Sequence, residues 1–178
     1  MTKYLFTSNR LGFREWNSDD LPIMASINAD PKVMEFFPSI QSVSQTEDFI
    51  KRNQRMFAEN RFCYFAVELL ETNELIGFIG LSQLTFESSF TPCVDIGWRI
   101  GFKYWNCGYA TEGAKRCLQY AFEDLKLKEV FSVAPVINVK SIAIMHKIGM
   151  LERTHFEHPL LNSFDYLKKC ALFFTSNN

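Results

Sequence analysis

The stretch VDIGWRIGFKYWNCGYATEG, residues 94–113, decides how this chain is read. Its first part alternates. Val94, Ile96, Trp98 and Ile100 fall on one face of a strand, and Asp95, Gly97 and Arg99 on the other. A small-residue loop follows, Trp105-Asn106-Cys107-Gly108-Tyr109-Ala110-Thr111, and opens a helix. Such a loop points several backbone N–H groups at one spot, and the helix dipole adds partial positive charge there. Gly108 allows φ > 0 and close approach of a ligand. The bland alternative is an ordinary strand-to-helix turn. The legible strand before the loop and helix after it are the context that a phosphate or pyrophosphate seat needs.

Downstream, Ala110, Ala114, Cys117, Leu118, Ala121, Phe122 and Leu125 recur at helical period, predicting one amphipathic helix over Ala110–Leu125. Glu129–Val136 reads as a strand, and Pro135 denies it full pairing on both sides. Asn138 precedes a short helix, Val139–Lys147, which Gly149 ends. The simplest role for Asn138 is an N-cap bonding the Ser141 N–H. Met150–His155 and Leu167–Phe174 read as closing strands.

Upstream, Leu11–Trp16 is a strand. Ser18-Asp19-Asp20 reads as the N-cap of a helix running to about Asn28. Pro31 starts a short helix that stops before Pro38. Ser44-Gln45-Thr46-Glu47 has capping-box spacing, and Phe49, Ile50, Asn53, Met56 and Phe57 form one stripe of a helix ending near Asn60. Phe62–Leu70, Glu74–Thr85 and Cys93–Ile100 follow with short connections, as an antiparallel meander. No repeat or linker interrupts the chain. The expectation is one α+β domain over residues 1–178, a mixed and mostly antiparallel sheet flanked by helices.

A net charge of −1 argues against nucleic acid or an anionic membrane as the main partner. The five cysteines are odd in number and lack Cys-x-x-Cys spacing, which fits reduced thiols in a cytoplasm. The segment MTKYLFTSNR lacks a signal peptide's apolar core, and no run approaches the ~20 apolar residues of a membrane span. His146, His155 and His158 form no metal-ligand pattern with the cysteines, so no metal is expected. Monomer and homodimer both stay open.

Asp95 stands mid-strand, where an acid must be solvated, paired or functional. The bland reading is an ion pair with Arg99, two positions along the same face. Gly97 leaves space beside the carboxylate. Phe36-Phe37-Pro38 reads as a helix stop with core aromatics, and His158-Pro159 as a loop histidine.

Together these segments resemble the GNAT superfamily of acyl-CoA N-acyltransferases, and within it the RimJ/RimL-like ribosomal-protein N-terminal acetyltransferases. The matches are Ile96-Gly97-Trp98-Arg99-Ile100, Tyr104 through Glu112, Asn138-Val139-Lys140-Ser141 and Lys147-Ile148-Gly149-Met150. Ser18-Asp19-Asp20, Phe78-Ile79-Gly80-Leu81 and Phe156-Glu157-His158-Pro159 support them. They lie in the family's order from about Leu11 to Phe173.

The resemblance implies a splayed seven-stranded sheet and acetyl-CoA as cosubstrate. Trp105 then starts the family's pyrophosphate loop, Gln/Arg-x-x-Gly-x-Gly/Ala, with Gly108 and Ala110 at its last two positions. Asn106, Cys107, Tyr109 and Thr111 complete the seat. Backbone of Ile100 and Gly101 faces the pantetheine arm, and Asn138 and Ser141 approach the thioester. Phe37, Trp98 and His158 are candidates for the acceptor site, built from loops around Phe36–Gln41, Phe86–Pro92 and His158–Asp165. Departures are Asn106 for Gly, Cys107 for Lys or Arg, Met145 for a tyrosine acid, His146 for Glu, and Asp95 for a longer Glu. The loop at Cys107 thereby loses a cationic contact.

The implied reaction is direct attack of a neutral amine on the thioester. Asp95 takes the proton, directly or through water, and Ser141 stabilises the departing thiolate. Keeping a peptide α-amine neutral at pH 7 costs roughly 1 kcal/mol, against roughly 4.6 kcal/mol for a lysine side chain. The favoured acceptor is therefore a protein or peptide N-terminus. The alternatives are a small-molecule amine (polyamine, amino-sugar or drug) and a non-catalytic CoA-binding sensor in which Asp95 only pairs with Arg99.

Overall fold

The computed structural model describes residues 3–177. Eight strands form one sheet: β1 (Phe6–Thr7), β2 (Leu11–Arg14), β3 (Tyr64–Leu69), β4 (Leu75–Leu84), β5 (Cys93–Ile100), β6 (Glu129–Pro135), β7 (Leu151–Glu157) and β8 (Lys169–Ser176). Their order is β1-β2-β3-β4-β5-β6-β8-β7. The helices are α1 (Leu21–Asn28), α2 (Val43–Asn60), α3 (Tyr109–Gln119) and α4 (Val139–Lys147). The expected mixed, mostly antiparallel sheet is present, with eight strands where the resemblance implied seven. The extra one is the two-residue β1, hydrogen-bonded to the β2 edge.

The sheet's two faces carry separate cores. On one, Leu11, Phe13, Phe65, Ile79 and Ile96 pack with Ala114, Cys117 and Leu118 of α3. On the other, Met24 and Ile27 of α1 and Phe49 and Ile50 of α2 pack with Ala66 and Phe78. Gly113 lets α3 sit low on the sheet, because a Cβ there would come within 2.3 Å of Ile79 Cδ1. The expected α3 stops at Gln119, and its last turn, Tyr120–Asp124, is π-helical.

β3, β4 and β5 form the expected antiparallel meander. β5 and β6 are parallel and share a single rung, Asp95 opposite Phe131. Beyond it they diverge. The Ser132 hydroxyl donates to the Ile96 carbonyl at 2.9 Å, replacing a ladder bond at the start of the gap. Pro135 therefore needs no N–H toward β5, and its register partner is Cys170 on the β8 side.

Three local readings change. Residues 31–36 form consecutive turns rather than a helix, with Met34 N–H bonded to Asp30 and Phe37 N–H to Met34. The cap before α1 is Asn17, leading a 3-10 turn (Ser18–Asp20) in which Asp20 reaches back to the Asn17 N–H. Asp20 is also held by Arg14, which bridges it to Glu68. The capping box of α2 is Ser42 with Gln45, not Ser44 with Glu47. The start moves back two residues because Thr46, fully buried, donates to the Ser42 carbonyl from inside the helix. Ser42→Ala is expected to lower stability by about 1 kcal/mol, whereas Ser44→Ala stays within about 0.5 kcal/mol of wild type. Urea denaturation of the two variants checks this.

Candidate active site

A cavity of about 450 Å³ opens where β5 leaves β6. Trp98, Arg99 and Ile100 of β5 line it, as do the loop Trp105–Thr111, Asn138 and Ser141 at the start of α4, and Phe36 and Phe37. The structure thus brings together Ile100, Trp105, Asn106, Gly108, Tyr109, Ala110, Thr111, Asn138, Ser141, Phe37 and Trp98. Gly101, Cys107, Asp95 and His158 stand outside the lining.

The loop is built as an anion seat. Asn106 and Gly108 both have left-handed backbone, at φ 61° and 81°. Gly108 is the residue before α3, and no side chain caps this helix. The first-turn N–H groups of Tyr109, Ala110 and Thr111 therefore have no intrahelical acceptor, in a cavity that these residues line. Trp105 pins the loop, donating from Nε1 to the Ile100 carbonyl at 2.8 Å. Gly101 donates to Ile76 and accepts from Tyr104. The Ile100 and Gly101 carbonyls and the Gly101 N–H thus each have a partner inside the protein, and each carbonyl keeps a second lone pair.

Two cationic side chains reach this loop from elsewhere in the chain. Arg10, far away in sequence, donates to the Cys107 carbonyl at 3.1 Å, pairs with Glu112 at 2.7 Å and stacks on Tyr109. Lys140, on the cavity wall, lies 4.6 Å above the Trp105 ring. Periodicity shows neither residue, because each reaches the loop only through the fold.

Asn138 caps α4 as expected, accepting from the Ser141 N–H at 3.1 Å. Met145 is buried in the core, so α4 carries no acid at that position. His158 packs on Phe86 at 4.3 Å, and its Nδ1 accepts from the Leu160 N–H. It belongs to an aromatic cluster with Phe86, Phe90 and Phe156, apart from Phe37 and Trp98. His158 thus stands with the loop around Phe86–Pro92 rather than beside Phe37 and Trp98.

Asp95 is 6% exposed and lies behind the cavity wall. Its two oxygens accept from the Tyr64 hydroxyl at 3.1 and 3.2 Å. Burial raises its pKa to about 7, against the opposing Tyr64 hydrogen bond. The ion pair with Arg99 does not form; Arg99 turns to Asn28 instead, at 2.7 Å. The space that Gly97 leaves is filled by Tyr64, whose ring would lie 3.1 Å from a Cβ there. Tyr64 is the residue that sequence reasoning missed. Its strand, β3, is separated from β5 by β4, and only the register reveals the contact.

A splayed seam beside an uncapped helix start gives a cavity with free backbone amides at one end. Over residues 10–151 the chain matches the acetyltransferase (GNAT) domain, and it belongs to that family. It is 30% identical over 154 residues to the uncharacterised N-acetyltransferase YnaD of Bacillus subtilis, with 85% of each chain covered. A GNAT-family acetyltransferase structure from Bacillus anthracis superposes with TM-score 0.80 at 25% identity, covering 96% of each chain. RimL, a ribosomal L7/L12 alpha-N-protein acetyltransferase in complex with coenzyme A, shares the fold at TM-score 0.78 and 12% identity, with 97% of each chain covered. The chain is an acetyl-CoA-dependent N-acetyltransferase. Among the described residues no helix is long and apolar enough to cross a membrane.

Two measurements test the loop. Gly108→Ala places a Cβ only 3.5 Å from Arg10 Nη2 but keeps φ at +81°. A stability loss of about 1 kcal/mol is expected from that strain, with at least a tenfold loss of CoA affinity by calorimetry. Cys107 is exposed, whereas Cys63, Cys117 and Cys170 are buried, and burial pushes half-buried Cys93 up to about 11. Brief iodoacetamide treatment should therefore alkylate Cys107 first, and CoA should slow it; labelling indifferent to CoA leaves Cys107 a structural residue only.

Proposed function

We propose that the chain is a RimJ/RimL-like enzyme that acetylates an α-amine, most simply a peptide or protein N-terminus. The observation that carries this reading is the continuity of one cavity from the uncapped start of α3, past Trp98 on the open side of β5, to Phe37. Bound there, acetyl-CoA supplies the activated acyl group. The amides of Tyr109, Ala110 and Thr111 hold its pyrophosphate, with Lys140 adding charge nearby. The Ser141 hydroxyl, on the cavity wall, donates a hydrogen bond toward the thiolate.

Asp95 accepts the amine proton. Because it lies behind the wall, the proton reaches it through water or through the Tyr64 hydroxyl rather than by direct contact. With a carboxyl at about 7, removing a proton from an α-amine costs roughly 1 kcal/mol, and from a lysine side chain roughly 5 kcal/mol. This difference supports an α-amine acceptor. The sensor reading loses its premise, because it needed Asp95 neutralised by Arg99.

Asp95→Asn is expected to lower kcat roughly 10²–10⁴-fold and to abolish an acid limb near pH 7 in the kcat profile. Full activity in this variant rules the role out. Stability gives an independent readout. The folded chain holds the Asp95 proton up to about pH 7, whereas an unfolded carboxyl releases it near 3.9. Native stability from this group is therefore full below about pH 4 and falls as pH rises toward 7. Relative to wild type, Asp95→Asn should be roughly 2–4 kcal/mol more stable at pH 8 than at pH 4, read from paired denaturation curves.

A further inference from the structure

The Arg99 guanidinium is a buried charge without a counter-ion. Arg99 is 8% exposed and takes part in no ion pair among the described residues. Its Nη1 donates to Asn28 Oδ1 at 2.7 Å. Asn28 is itself fixed, donating from Nδ2 to Thr46 Oγ1 at 3.0 Å, and Thr46 donates to the Ser42 carbonyl at 3.0 Å. The guanidinium lies 4.2 Å from the Phe37 ring centre and 5.3 Å from that of Phe78. Burial lowers its pKa to about 10, which leaves it charged at neutral pH.

A charge so placed is strongly unfavourable unless something completes it. Arg99 Nε is a buried donor with no acceptor, and Gln41 Oε1 is a buried acceptor with no donor. Both belong to residues bonded to Asn28, through the Arg99 Nη1 and the Gln41 N–H. With Nη1 occupied, the Nε–Nη2 edge of the fork remains. That edge matches the two oxygens of a carboxylate. Arg99 also lines the cavity, beside Val33, Phe36 and Phe37.

We propose that Arg99 determines acceptor specificity by binding a carboxylate that the acceptor carries close to its amine. This rests on the acetyl-transfer reading of the same cavity. Asp95 and Arg99 share a strand face four residues apart, about 13 Å along β5, so the carboxylate that receives the proton through water or Tyr64 and the guanidinium that reads the acceptor's carboxylate act at separate points. Apolar walls from Phe36 and Phe37 exclude water and strengthen the pairing. A polyamine meets a buried like charge instead and is disfavoured. The carboxylate has two sources: an acidic first residue of a peptide, or a free amino acid.

The test pairs isosteric acceptors with acetyl-CoA. One arm compares peptides that begin with Asp or Asn; another compares free alanine with alaninamide, which lacks the α-carboxylate; spermidine is the cationic control. In wild type, kcat/KM for a carboxylate acceptor should exceed its amide partner by on the order of 10- to 100-fold in at least one arm, and that arm identifies the source. Arg99→Met should bring the ratio near one, and Arg99→Lys should restore it in part. Calorimetric titration of the same acceptors into the CoA-loaded protein gives a second readout. Selective carboxylate binding without turnover supports the Arg99 assignment and overturns the transfer reading. Turnover or binding that is equal for acid and amide in both wild-type arms overturns the proposal, whatever the variants do.

Discussion

A single parallel rung, Asp95 opposite Phe131, joins the two halves of the sheet. Everything that makes the site follows from the strands parting after it. A parting seam exposes backbone polar groups inside the protein, and buried groups of that kind must find partners. Here they are found one by one. Ser132 takes the Ile96 carbonyl, and Trp105 takes the Ile100 carbonyl. Pro135 lacks the donor that the gap would leave unmatched. The seam is held open by these substitutions, and the cavity lies along it.

The same strand separates two charges that could have neutralised each other. Tyr64 covers Gly97, between Asp95 and Arg99, and holds the Asp95 oxygens. Asn28, braced by Thr46, draws Arg99 toward the other end of the face. The aromatic stack of Tyr64 on Phe78, with Phe49 behind it, keeps this side dry and rigid. An acid with a raised pKa and an unpaired guanidinium both oppose folding. Their retention in a well-packed interior is the expected signature of groups kept for chemistry rather than stability.

The Trp105–Thr111 loop shows the same economy of means from distant parts of the chain. Its motif lacks the usual cation, yet Arg10 arrives from the β1–β2 turn and Lys140 from α4. The electrostatic character of the loop is thus a property of the assembled sheet edge, not of residues 105–111.

Local pattern by itself determined the meander, the α3 and α4 helices, the uncapped loop between β5 and α3, and the Asn138 cap. Each rests on contacts within a few residues or on strict period two or 3.6. It also placed Asp95 and Arg99 on one face. Tertiary structure decided what that face does. Periodicity cannot tell that Tyr64, two strands away, would occupy the space at Gly97, or that Arg99 would choose Asn28 over Asp95. It could not place His158 among the aromatics Phe86, Phe90 and Phe156, nor tell Ser42 from Ser44 as a cap when a buried Thr46 fixes the helix start. Those outcomes depend on strand order and register, which bring together residues far apart in sequence, and on the penalty for burying a polar group without a partner.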